Sequence, residues 1–351
     1  MSQPDSWEIT NDSRLLEYGS GLGNMVIGAF GLVLVALIIY LASDGSTESP
    51  DVARQVASRT VVDWRHDPIF GLAWSPDGRY LASSSFGPIV RVWDRQSGSI
   101  RSHEGGTEQP RFAVGWSADS RRLMVSGLDL PIESWDLRDP KSADGLGVTR
   151  PVSLAESTQE LIRTSGGRPI RLWGPSDHRF ESLRQVNPAA NSIAFSNDGR
   201  FVASGGARGQ LEIHDVREDR IWRQFEVDPR GITGVTFSPD SSKLATSGPG
   251  PLRIWEVESG RQIARLGEEN GGSAALAFAP DGSMLAVAAW DGSILVWDLK
   301  TGQPRETLNG HHGQILALAW SPDGKTLASG GYDSTVRIWN LDPADMSLTS
   351  N

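Results

Sequence analysis

A unit of about 40 residues recurs along most of the chain, and this repeat limits what the chain can fold into. Each copy closes on one aromatic position, and successive closing positions lie 38 to 42 residues apart. Five copies are clear, and two, which start at Val114 and Ser153, are degenerate. The closing residues are Trp93, Trp135, Trp173, His214, Trp255, Trp297 and Trp339. The chain therefore contains seven similar units, repeats 1 to 7.

Each repeat has the pattern of short strands joined by tight turns. In repeat 7, apolar residues alternate from Ile315 to Trp320, which is typical of a half-buried strand. Ser321-Pro-Asp-Gly324 follows as a turn, since proline fixes φ and glycine accepts a positive φ. Two more strands are expected at 327–329 and 336–339, and a fourth, more variable one at the junction with the next repeat. Four-stranded units of this length are typical of propeller blades.

The Ser-Pro-Asp-Gly turns, the Leu-Ala-Ser-Gly-Gly strand and the Arg-x-Trp endings resemble the WD40 family over residues 59–340. The resemblance implies an all-β fold, a seven-bladed WD40 β-propeller. It also implies that a strand near 59–64 supplies the outer strand of the last blade, so that the two ends of the array pair. The dense Ser-Pro-Asp-Gly turns resemble those of bacterial members.

WD40 blades that resemble the consensus carry a structural hydrogen-bond network of His, Ser, Asp and Trp. Repeat 7 matches this pattern fully, with His311, Ser329, Asp333 and Trp339 as the implied structural tetrad. The other repeats have lost at least one member, and in repeat 4 His214 stands at the tryptophan position. We therefore expect most blades to be held by apolar packing and turn geometry.

A long uncharged segment precedes the repeats. Residues 18–43 carry no charged side chain, and 25–42 are almost wholly apolar. Because about 20 helical residues cross the hydrocarbon core of a bilayer, we expect a single transmembrane α-helix at 22–42. Trp7, Tyr18 and Tyr40 are candidate anchors at the membrane interface.

Two other interpretations of this segment remain open. A buried helix of a soluble domain would normally show a polar face, which 25–42 does not. A cleaved signal peptide would need a basic start and a shorter apolar stretch, whereas the first 17 residues hold four acids and only Arg14. The basic residues near the segment number one before it and two or three after it, which favours a cytoplasmic propeller at a bacterial inner membrane.

These observations divide the chain into five parts. They are a tail or interfacial segment at 1–21, the helix at 22–42, a linker with a short helix at 43–58, the propeller at 59–342 and a tail at 343–351.

The sequence offers no catalytic, cofactor-binding or metal-binding motif. Cysteine is absent, so disulfides and thiolate sites are excluded, and the histidines have no metal-ligand spacing. A net charge of −10 argues against non-specific nucleic-acid binding. The His-Ser-Asp grouping of repeat 7 superficially resembles a hydrolase triad, but the resemblance places these residues in a structural network. We expect no enzyme, no cofactor, no nucleic acid and no small-molecule substrate.

The tips of the second turns in the repeats are the candidate partner-binding face. Aromatic and arginine side chains on exposed turns are typical of binding hot spots, although singly exposed apolar residues are also ordinary on protein surfaces. The candidates are Phe86, Leu128, Arg168, Arg208, Trp290 and Tyr332.

The expected function is that of a scaffold or accessory subunit. The propeller would dock onto other membrane-protein subunits while residues 22–42 contact the lipid bilayer. The alternative is a membrane-tethered regulator or sensor that recruits protein or peptide partners transiently.

Overall fold

The computed structural model describes residues 58–63, 67–104, 111–127, 133–137, 143–145, 170–173, 180–183, 190–218, 220–267 and 273–341. Within these ranges, no helix is long and apolar enough to cross a membrane. The helix predicted at 22–42 lies outside the described residues, as do its predicted anchors Trp7, Tyr18 and Tyr40.

The described residues form 26 strands. The first half of the array contains β1 (Ser58–Asp63), β2 (Ile69–Trp74), β3 (Tyr80–Ser85), β4 (Ile89–Asp94), β5 (Ile100–Glu104), β6 (Arg111–Trp116), β7 (Arg122–Gly127), β8 (Glu133–Asp136), β9 (Ala143–Gly145), β10 (Ile170–Trp173) and β11 (Phe180–Leu183). The second half contains β12 (Ala190–Phe195), β13 (Phe201–Gly206), β14 (Gln210–Asp215), β15 (Arg220–Glu226), β16 (Gly234–Phe237), β17 (Lys243–Ser247), β18 (Leu252–Glu256), β19 (Gln262–Leu266), β20 (Ser273–Phe278), β21 (Met284–Ala289), β22 (Ile294–Asp298), β23 (Gln303–Leu308), β24 (Ile315–Trp320), β25 (Thr326–Gly331) and β26 (Thr335–Asn340).

These strands form one antiparallel sheet per repeat, numbered here as the repeats are. Sheets 1 and 2 are β2–β5 and β6–β9, sheet 3 is the pair β10 and β11, and sheets 4, 5 and 6 are β12–β15, β16–β19 and β20–β23. Sheet 7 consists of β24, β25 and β26, with β1 as its fourth strand. In that pairing Arg59 lies opposite Ile338 and Asp63 opposite Thr335. The first strand of the array is thus hydrogen-bonded to the last repeat.

The sheets pack side by side through their first strands. In the described residues the first strands contact one another in the order β12, β16, β20, β24, β2 and β6. Five apolar clusters fill these junctions, and each draws its members from two neighbouring sheets. The cluster between sheets 7 and 1, for example, contains Ala328 and Val336 together with Ile69, Trp74 and Leu81. The core of the described sheets is therefore divided among the junctions, since neighbouring sheets bury their faces against one another.

Tryptophans at the ends of the first strands add a hydrogen bond across three of the junctions. The indole Nε1 of Trp116 donates to the carbonyl of Ala73 at 3.0 Å, and that of Trp320 donates to Ala277 at 3.0 Å. Trp74 of sheet 1 donates to Ala319 of sheet 7 at 3.2 Å. Each of these bonds joins a sheet to the one that precedes it in this contact order.

The turns after the first strands share a second repeated network. In sheet 7, Ser321 Oγ donates to Asp323 Oδ1 at 2.5 Å and accepts from the amide of Thr326 at 3.0 Å. Sheets 1, 2, 4 and 5 repeat the serine-aspartate bond. The next turn residue has positive φ, which glycine supplies at Gly324 (68°), whereas serine adopts it at Ser241 (60°). These networks fix the geometry of one edge of these five sheets.

We expect Trp116→Phe to destabilise the chain more than Trp135→Phe. Both indoles are buried in sheet 2, but only that of Trp116 donates to a described residue, the carbonyl of Ala73. Losing that bond removes the indole donor of the Ala73 carbonyl, which should cost about 1 kcal/mol beyond the loss of ring size common to both variants. Denaturant unfolding followed by circular dichroism measures the difference, and equal free energies of unfolding would contradict this role.

Candidate partner-binding face

Each sheet has two distinct edges. The turn edge holds the connections between first and second strands and between third and fourth strands, which bond to one another, as when the amide of Val216 donates to Arg200 O at 2.8 Å. The loop edge holds the turns between second and third strands and the loops that lead from one sheet to the next. There the amide of Tyr332 donates to Gln314 O at 2.9 Å.

The structure places four of the predicted face residues on the loop edge. Phe86 is 44% exposed, with its ring 6.3 Å from that of Phe70, and Arg208 is also exposed. Trp290 and Tyr332 are only partly exposed, and burial raises the pKa of the Tyr332 phenol. Their contact surface is therefore smaller than exposed turn tips would offer. Leu128 and Arg168 lie outside the described residues.

The predicted tetrad of sheet 7 forms one hydrogen-bonded chain. His311 Nδ1 lies 2.8 Å from Asp333 Oδ2, and His311 Nε2 lies 2.7 Å from Ser329 Oγ. The same Ser329 hydroxyl accepts from the indole of Trp339 at 2.8 Å. Burial would raise the pKa of Asp333, but the hydrogen bond and charge of His311 hold it well below its ordinary value.

This chain of bonds connects the loop edge to the interior of sheet 7. Asp333 lies in the turn after β25, and His311 lies in the loop before β24. Ser329 and Trp339 are buried in strands β25 and β26. The hydroxyl of Ser329 is fully buried and already holds two partners, so it presents no accessible nucleophile. The grouping fastens the loop edge to the core. No cluster of three metal-ligating side chains occurs in the described ranges.

In sheet 5 a threonine replaces the tetrad serine, a substitution that the sequence analysis did not predict. Trp255 Nε1 donates to Thr246 Oγ1 at 3.0 Å, so threonine takes the place that Ser329 holds in sheet 7. Thr246 precedes Trp255 by nine residues, whereas Ser329 precedes Trp339 by ten. The stretch from Thr246 to Trp255 is thus one residue shorter than the stretch from Ser329 to Trp339 in sheet 7.

The loop before β16 contains an ion pair at the histidine position. Asp228 precedes the buried Ile232 by four residues, just as His311 precedes Ile315. The carboxylate of Asp228 accepts hydrogen bonds from Arg230 Nε and Nη2, both at 2.9 Å. Arg253 Nη2 lies 3.6 Å from Asp228 Oδ2. These interactions, led by the hydrogen bond from Arg230, lower the pKa of Asp228 to about 2 although burial opposes the shift. Aligning the loops on Ile232 and Ile315 is the sequence signal that could have found this pair.

The surrounding backbone is packed tightly around this ion pair. The amide of Val227 donates to Gly209 O at 2.8 Å, and the amide of Ile232 donates to Gly206 O at 3.0 Å. Gly250 lies against both Asp228 Oδ2 and Arg230 Nη2, so that any side chain there would collide with them. The absence of a side chain at Gly250 therefore makes room for the ion pair.

Comparison with known proteins agrees with these repeats. The family model "WD domain, G-beta repeat" matches residues 59–94, 183–215, 261–298 and 302–340, so repeats 1, 4, 6 and 7 are similar to WD40 repeats. The chain is 27% identical over 142 residues to "Protein groucho" of Drosophila melanogaster. This match covers 39% of this chain and 19% of that protein. It is 31% identical over 107 residues to "Meiotic recombination protein rec14" of Schizosaccharomyces pombe, covering 30% of this chain and 35% of the relative. It is 29% identical over 143 residues to "Small ribosomal subunit protein RACK1y" of Oryza sativa subsp. japonica, covering 38% and 42%. The matches thus span less than half of each relative.

We expect the stabilising effect of Asp228 to depend on pH. Its pKa is about 2 in the folded chain and near the ordinary 3.8 when unfolded. Because the folded pKa is the lower one, the stabilisation is complete above about pH 5 and declines as the pH falls from 4 toward 2. The free-energy difference between the wild type and Asp228→Asn should shrink over that window. A difference that stays constant from pH 6 to pH 2.5 would contradict the assignment.

Proposed function

We propose that this chain, which carries WD40 repeats, is a membrane-anchored scaffold that docks onto a larger membrane-protein complex. Its repeats would close into a seven-bladed propeller whose loop edge binds a partner subunit, while residues 22–42 span the bilayer.

The order of the sheets supports the closed ring. Sheets 4, 5, 6, 7, 1 and 2 follow one another through contacts of their first strands, and β1 joins sheet 7 across the two ends of the array. Sheet 3, with β10 and β11, belongs to the repeat between sheets 2 and 4 in sequence. Placing it in the remaining position would complete seven blades, a common number within the four to eight of propellers.

The observation that carries partner binding is the exposure of Phe86 and Arg208 on a rigid loop edge. The turns that hold them are bonded to neighbouring loops, because Arg111 N donates to Gly87 O at 3.0 Å and Val227 N to Gly209 O at 2.8 Å. Because the backbone of these turns is already fixed, binding does not have to order it, and exposed aromatic and arginine side chains there can act as anchors. WD40 repeat proteins generally act as such non-enzymatic scaffolds.

Membrane attachment is supported by the sequence of the segment that precedes the repeats. Residues 18–43 carry no charge, and 25–42 have the length and composition of a spanning helix. The helix would pack against helices of the complex, and the propeller would contact the parts of the complex outside the bilayer.

The alternative is a membrane-tethered regulator that recruits protein partners transiently. The two functions differ in the lifetime of the complex, since a scaffold would keep its partners through a high-salt wash that strips a transient regulator. The charged rim contacts of transient complexes weaken with ionic strength.

We expect Phe86→Ser to weaken partner binding and Ile263→Ser to leave it unchanged. Both residues are apolar and similarly exposed, at 44% and 41%, but Phe86 lies on the loop edge and Ile263 in the outer strand β19. Solubilise membranes gently, purify each tagged full-length variant and quantify the co-purifying membrane proteins by mass spectrometry. Phe86→Ser should reduce the bound partner by about tenfold, the loss typical of a hot-spot residue.

Three outcomes would contradict the proposal. One is a wild-type chain that purifies without any membrane protein, and another is equal partner recovery from both variants. The third is recovery of the chain in the soluble fraction of lysed cells, which would remove the anchor from the account.

A further inference from the structure

The loop edge carries a concentration of positive charge at the junction of sheets 4 and 5. We define the arginine cluster as Arg208, Arg230 and Arg253. Arg230 and Arg253 contact the carboxylate of Asp228, and Arg208 is exposed in the turn whose backbone is bonded to the Asp228 loop. Asp228 is 6% exposed, whereas Arg230 is 46% exposed and Arg253 is 15% exposed. The acid is therefore buried beneath guanidinium groups that reach the surface.

The carboxylate balances only part of this charge. One oxygen of Asp228 is shared by Arg230 and Arg253, and the other is held by Arg230. Arg208 forms no hydrogen bond or ion pair with any residue in the described ranges. It directly precedes Gly209, which packs against the backbone oxygen of Asp228. Two guanidinium groups thus share one carboxylate, and a third arginine lies in the adjacent turn.

The local backbone keeps the cluster accessible. The turn between β17 and β18 consists of Gly248, Pro249, Gly250 and Pro251. It therefore places no charged side chain over the ion pair. The turn that carries Arg208 is fixed by the bonds of Gly209 and Gly206 to the neighbouring loop.

The net negative charge of the chain makes the arginine cluster more selective for acidic partners. With a net charge of −10, the protein repels acidic partners on average, so a local positive cluster would concentrate their binding in one place. Guanidinium groups bind carboxylates through paired hydrogen bonds, and Arg208 has its donors unused by any described residue.

From this geometry we propose that the arginine cluster binds an acidic segment of the partner protein, rich in Asp and Glu. The inference rests on the proposed function, since it names the chemistry of the partner that docks on the loop edge. Arg208 would pair directly with a partner carboxylate. Arg230 and Arg253 would supply the positive field while they remain bonded to Asp228.

The test compares charge reversal at two exposed arginines of sheet 4. Arg208→Glu changes the loop edge, and Arg217→Glu is the matched control in the turn between β14 and β15, on the turn edge. The probe is a fluorescent peptide of alternating Glu and Ser, with a Gln and Ser peptide as its neutral control, measured by anisotropy on the purified full-length chain. Thermal unfolding of each variant checks that the fold is retained.

We expect the Glu peptide to bind the wild type, with an affinity that falls as salt rises, and the Gln peptide to bind at least about tenfold more weakly. Arg208→Glu should weaken binding of the Glu peptide by about tenfold, Arg208→Lys should largely restore it, and Arg217→Glu should leave it unchanged.

Other results would overturn the inference. They are equal binding of the Glu and Gln peptides, equal losses in Arg208→Glu and Arg217→Glu, or binding of phosphatidylserine vesicles that Arg208→Glu abolishes while the Glu peptide does not bind. If the Glu peptide fails to bind but Phe86→Ser still releases the partner, the acidic chemistry is wrong and the scaffold function stands.

Discussion

The packing of one sheet against the next is the interaction on which the rest of the structure depends. A single four-stranded sheet of this chain cannot bury its own faces, and the five apolar clusters of the described residues each lie between two sheets. The indole hydrogen bonds of Trp74, Trp116 and Trp320 fix how neighbouring sheets are aligned, because each indole donates to a carbonyl of the preceding sheet. The pairing of β1 with β26 adds a bond between the two ends of the array.

The turn edge and the loop edge of the sheets differ in how uniform their hydrogen-bond networks are. On the turn edge, the same serine-aspartate bond recurs in five sheets, and sheet 6, which has Ala279 in place of serine, retains Asp281 bonded to Ser283. On the loop edge, sheet 7 uses the network of His311, while sheet 5 uses the ion pair of Asp228. Structural uniformity on one edge leaves the other free to vary in charge and shape, which is what a specific binding surface requires.

The sequence predicted the strands and turns well because their signals are local. Alternation marked β24, proline and glycine marked the turns, and the strand expected near 59–64 corresponds to β1 (Ser58–Asp63). The exposure of Trp290 and Tyr332 could not be predicted in the same way, since it depends on neighbouring loops rather than on the turn itself. The ion pair of Asp228 and Arg230 was not predicted for a related reason. A charged residue at the histidine position is typical of ordinary loop sequence unless its partners are known.

The account's central claim is that partners bind the loop edge, and photo-crosslinking in intact membranes tests it most directly. A photoreactive amino acid would replace Ala207, exposed beside Arg208 on the loop edge, or Gln96, exposed on the turn edge of sheet 1. The account predicts a crosslinked membrane-protein partner from position 207 and none from position 96, as identified by mass spectrometry. The same partner crosslinked from position 96 and not from position 207 would contradict it.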